Sequence, residues 1–84
     1  MPRYILVNHH EPEECEPMDA AISRLPAHLE GKEFYCTCPE GPHGFYMFLE
    51  GETAEEVVQS LPPEWRRGTA AYPVEVFHLA RHPR

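Results

Sequence analysis

Hydrophobic and polar positions along the 84-residue chain fall into short segments of two kinds, helix-periodic and strand-like. Arg3 to His9 (RYILVNH) is rich in β-forming residues and predicts a first strand. Segment 11–18, EPEECEPM, is acidic and opens a helix that continues through DAAISRL, where Met18, Ala21, Ile22 and Leu25 recur at helical spacing. Pro17 lacks a backbone N–H and therefore belongs to the first turn of that helix or marks a distortion in it. Pro26 ends it or starts one further turn, which Gly31 stops. Glu33 to Cys38 (EFYCTC) and Gly44 to Glu50 (GFYMFLE) read as the second and third strands. The connector PEGPH between them has the prolines and glycine of a tight hairpin loop. Thr53-Ala54-Glu55-Glu56 is a capping box, and the helix it opens runs through Val57, Val58 and Leu61 to Pro62-Pro63. Glu64 to Arg67 adds a turn closed by Gly68. Pro73 to Leu79 (PVEVFHL) is the predicted fourth strand, and the tail ARHPR is expected to fray.

This order, β-α-β-β-α-β, predicts an α+β fold: a ferredoxin-like plait spanning residues 1–84 as a single domain. Right-handed crossovers would put the first and third strands in the centre of a four-stranded antiparallel sheet, with two helices on one face. Strand alternation assigns Ile5, Val7, Phe34, Cys36, Phe45, Met47, Leu49, Val74 and Val76 to the face under the helices. The opposite face would carry Tyr4, Leu6, Tyr35, Thr37, Tyr46, Phe48, Phe77 and Leu79, with no helix left to cover it. An aromatic sheet face of that size is unusual on a soluble monomer. A homodimer built on Leu6, Tyr35, Tyr46, Phe48 and Phe77 is the expected cover; the alternative is a loop or the C-terminal tail folded across the sheet.

Charge narrows the partners. Fourteen acidic residues against seven basic give a net charge of −7, a field that repels phosphate backbones, so no nucleic acid is expected. No run of about 18 apolar residues exists to span a membrane. The first ten residues are too short and too polar for a signal-peptide core, which makes the cytoplasm the expected location. Three cysteines, an odd number, argue against a disulfide framework.

Candidate chemistry lies in a mirrored spacing: His10 and Cys15 form H-x4-C, and Cys38 and His43 form C-x4-H. In the expected topology the first two strands run parallel, so their C-terminal ends share one edge of the sheet. That edge receives His10, Cys15 at the following helix start, Cys38, and His43 from the hairpin. Two thiolates and two imidazoles suit a tetrahedral Zn²⁺ site, or one for a neighbouring transition metal. Cys36 shares the parity of Phe34 and reads as a core residue. His9, His28, His78 and His82 read as surface or strand-end residues. The acidic cluster Glu11, Glu13, Glu14 and Glu16 reads as a helix N-terminus favoured by the dipole.

The segments HHEPEEC and CPEGPHGFYMFLEG, followed by a helix, LPP and a final strand, resemble a group of small bacterial ferredoxin-like domains of the dimeric α/β-barrel type. In that group an H-T-P-E-E-C-like segment precedes a C-x-x-G-D-H-T-G-like hairpin. His10, Cys15, Cys38, Gly41, His43 and Gly44 match the pattern, and the similarity runs along most of the chain. Glu11 replaces the group's usual Thr and Pro42 its usual Asp, a residue able to orient the neighbouring His. The resemblance implies a fold and a constellation, and no activity.

No nucleophile–base triad can be assembled, because Ser23 and Ser60 fall in or at the end of helices, and the dispersed glycines form no phosphate loop. The sequence therefore points first to a small metal-binding module and assigns no catalytic residue. A non-catalytic, dimeric interaction or regulatory domain is the alternative. A dimeric α/β-barrel enzyme is a further one, its small apolar substrate lined by Tyr4, Tyr35, Tyr46 and Phe48, with His10 or Asn8 as the polar group.

Overall fold

A computed structural model describes residues 1–80. Four strands, β1 (Arg3–His9), β2 (Tyr35–Cys36), β3 (Gly44–Glu50) and β4 (Thr69–Pro73), form one antiparallel sheet in the order β2-β3-β1-β4. Strands β1 and β3 are central and paired over seven residues, from Arg3 opposite Glu50 to His9 opposite Gly44. Three α-helices accompany the sheet: α1 (Cys15–Ala21), α2 (Ala54–Gln59) and α3 (Pro63–Arg66). The long first helix expected from the periodicity is broken in three. Turns of 3₁₀ helix at Pro12–Glu14 and Ile22–Arg24 flank α1, with Pro17 in its first turn, where a missing N–H costs nothing. Helix α2 starts at the expected cap, Thr53 Oγ1 accepting from the Glu56 N–H at 3.1 Å. The Glu56 carboxylate accepts from Glu52 N–H rather than from Thr53. The extra turn foreseen at 64–67 is α3, and Gly68 closes it with φ +78°.

One face of the sheet packs on all three helices, and its composition differs from the expected one in β1. Tyr4, Leu6 and Asn8 point inward beside Phe45, Met47 and Leu49, and meet Met18 and Ala21 of α1 and Val57, Leu61 and Trp65 beyond. Ile5 and Val7 face the other way, paired across the ladder with Phe48 and Tyr46. The apolar run RYILVNH has no alternation to choose a face; Asn8 chooses it. Its amide is fully buried, and only the inner side offers it partners, namely the Arg67 carbonyl and the Thr69 hydroxyl.

The fourth strand also differs: it is Thr69–Pro73, not 73–79. Only two residues link α3 to the sheet, and Gly68 O already accepts from His9 N–H at 3.0 Å, so the chain joins β1 at once. The pairing runs from Thr69 opposite Asn8 to Pro73 opposite Tyr4. A last bond, Val74 N–H to Arg3 O at 3.0 Å, reaches the first residue of β1. Residues 75–80 thus have no strand to join, despite a stronger β-forming sequence than TAAYP. Val74 and Val76 are not under the helices, and Phe77 and Leu79 are not part of the sheet. Strand β2 keeps only two of its six expected residues, and Cys36 at this sheet edge is exposed rather than core. Phe34 does turn inward, its ring 4.7 Å from Phe45 and 5.2 Å from Trp65. His82 and the tail residues 81–84 lie outside the described residues. Among the described residues no helix is long and apolar enough to cross a membrane.

Candidate metal centre

His10 follows β1 by one residue, Cys15 opens α1, Cys38 opens the hairpin and His43 closes it just before β3. One donor atom from each lies within 4.8 Å of the other three. His10 Nε2 is 3.2 Å from Cys15 Sγ and 3.4 Å from Cys38 Sγ, and Cys15 Sγ is 3.0 Å from His43 Nδ1. A tetrahedral ion with bonds of about 2.0–2.3 Å needs its donors roughly 3.3–3.8 Å apart, so this set is compatible with a small metal site.

The β1–β3 ladder accounts for most of the convergence. Beyond its last pair, His10 N–H donates to His43 O at 3.1 Å, setting the two imidazoles side by side with ring centroids 5.7 Å apart. Close approach here depends on glycine: a Cβ on Gly44 would stand 2.2 Å from Asn8 O. The hairpin is held by Thr37 O, which accepts from Gly41 N–H at 2.8 Å. On the other side, Glu14 folds the strand–helix junction. Its N–H donates to Glu11 O at 2.9 Å and its carboxylate accepts from Glu11 N–H at 2.8 Å. The next residue is Cys15, which this turn delivers to the site. The acidic cluster is therefore junction chemistry, and among the described residues no carboxylate joins the four donors.

Asn8 decides what His10 presents. Its Nδ2 donates to Arg67 O at 3.0 Å and to Thr69 Oγ1 at 2.8 Å, and the carbonyl can only accept. Oδ1 must then face His10 Nδ1, 2.7 Å away, so Nδ1 carries the proton. Nε2 is left with its lone pair aimed between two sulfurs, the tautomer a metal ligand needs. Position 42, where the resembled group tends to Asp, is Pro here and offers no such partner; Asn8 in β1, a polar residue beside an apolar run, supplies it. Replacing Asn8 by Ala should weaken zinc binding about 10–100-fold, measured by competition with a chromophoric chelator.

Cys36 stands apart. It is exposed at the sheet edge and outside the four donors, and desolvation together with the Cys38 side chain holds its pKa above the usual value. It lines an apolar cavity of about 280 Å³ beside the four donors, with Met18, Ile22, Phe34, Phe45 and Trp65. The barrel cavity expected from Tyr4, Tyr35, Tyr46 and Phe48 does not form within the chain, because Tyr4 is on the helical side and the others are on the opposite one. His9, His28 and His78 are exposed, as expected.

No family model, curated protein or solved structure matches this chain.

Proposed function

We propose that this chain is a small metal-binding module that holds one Zn²⁺ through His10 Nε2, Cys15 Sγ, Cys38 Sγ and His43 Nδ1. The carrying observation is that His10 Nε2 faces both sulfurs while the buried Asn8 amide accepts from Nδ1, so the neutral ring has its lone pair on Nε2. Two sulfurs and two nitrogens favour zinc over the oxygen-seeking Mg²⁺ and Ca²⁺. Four protein donors complete a tetrahedron, so the ion's role is structural: it ties the end of β1 to the start of α1 and to the 38–43 hairpin. In an 84-residue domain with a thin core, such a staple contributes what packing cannot. The strand order β2-β3-β1-β4 supports reading the frame as a ferredoxin-like plait like that of the small bacterial domains it resembles. Three cysteines with no disulfide suit a reducing compartment such as the cytoplasm.

Elemental analysis of untagged protein, alongside a thiol count, tests the assignment, with about one zinc per chain as the expected result. Protons compete for both thiolates and both imidazoles, so occupancy should fall as pH drops toward about 5. Protein that takes up no zinc at micromolar concentration and neutral pH would end this reading.

A further inference from the structure

The sheet has a second face. Ile5, Val7, Tyr35, Tyr46, Phe48 and Tyr72 all sit on the side away from the helices. Tyr35 is 50% exposed, Phe48 44% and Tyr72 56%. Residues 74–80 do not cover them, because Val76, Phe77 and Leu79 are themselves 58%, 77% and 97% exposed. After the Val74–Arg3 bond these residues run past the start of β1, and among the described residues no strand continues alongside them. One chain thus carries an uncovered aromatic face and, separately, an uncovered apolar arm.

We propose that a second copy of this chain covers the face, and that residues 74–80 of each copy lie across the sheet of the other. A two-fold axis makes any patch its own partner, so one operation covers both features in both copies. The area is sufficient. Taking about 200 Å² for a whole aromatic residue and somewhat less for an aliphatic one, the six most exposed of these side chains present on the order of 700 Å². The half-buried neighbours Ile5, Val7 and Tyr46 bring the patch to the roughly 800 Å² per partner of a stable interface. Charged residues lie in and around the contact, with Glu75 in the arm and Arg3, Glu33 and Glu50 beside Tyr35 and Phe48, and each chain carries −7, so repulsion acts between the copies. Salt screens it, and the dimer should tighten as ionic strength rises.

Sedimentation equilibrium at micromolar concentrations gives the first test, with a mass about twice the 9.7 kDa of the chain expected. Phe48→Glu, which would bury a charge in the contact, should weaken association at least 100-fold. The double substitution Phe77→Ser with Leu79→Ser should weaken it at least tenfold. None of the three residues belongs to the donor set, so circular dichroism and zinc content should match wild type in each variant; that separates a failed dimer from a failed fold or metal site. In a dimer mixed from labelled and unlabelled chains, isotope-filtered NOEs should join the Phe77 ring to the Phe48 ring of the other copy. A monomeric wild type, an arm variant that associates as tightly as wild type, or Phe77–Phe48 NOEs confined to one copy would each overturn the proposal.

Discussion

Chelating the proposed ion should cost this protein about as much stability as truncating a large core side chain. A ligand that binds only the folded chain stabilises it by about 4 kcal/mol when present at 1,000 times its dissociation constant. In a domain of this length each kcal/mol moves the melting temperature by about 4–8 °C, so chelation should lower it by roughly 15–30 °C. Cys15→Ser should produce the same drop in zinc-containing buffer and remove any response to chelator. Cys36→Ser is the control: its residue is exposed and outside the donor set, so the change should stay within about 0.5 kcal/mol. Calorimetry of the three proteins with and without chelator checks this. Equal melting temperatures in Cys15→Ser and Cys36→Ser would show that the cluster does not staple the fold.

The next largest effect belongs to two glycines that lie against the end of β1. A Cβ at Gly44 would stand 2.2 Å from Asn8 O, and one at Gly68 2.2 Å from His9 O. Both obstacles are backbone carbonyls within the central ladder and cannot swing aside. Gly68 adds a φ of +78°, which L-residues adopt at a cost of about 1–2 kcal/mol. Gly44→Ala and Gly68→Ala should each destabilise metal-free protein by about 3–5 kcal/mol in urea titration. Gly31 separates conformation from contact. Its φ is +81° but nothing lies within 4 Å of a Cβ there, so Gly31→Ala should cost only about 1–2 kcal/mol. Similar losses at all three positions would mean that the ladder end yields, and that its tightness does not place His43.

Local signals identified the elements, and side-chain parity proved harder. The third strand, GFYMFLE, is bounded by glycines that give its limits, and its inner face, Phe45, Met47 and Leu49, is the expected one although Phe45 to Leu49 is apolar throughout. The first strand is apolar from Tyr4 to Val7, and its face is set by where Asn8 finds partners some 60 residues later in the chain. No local pattern carries that. The fourth strand shows the same limit from the other side: PVEVFHL has the stronger propensity, but the two-residue link after α3 places TAAYP against β1 first. The candidate site was more legible than the faces around it. His10 and His43 immediately flank paired strands, and Cys15 and Cys38 lie five residues away from them, so the mirrored spacing survives any error of parity in the sheet.

The position of the donors along the chain has a consequence for truncation. All four lie between residues 10 and 43, whereas the groups that hold the Asn8 amide are at Arg67 and Thr69. A chain cut before Arg67 keeps every donor and loses the groups that orient Asn8. Nothing then fixes the proton on His10 Nδ1, and either ring nitrogen can carry it. Such a truncated chain should bind a metal ion more weakly than the full chain although its donor set is complete.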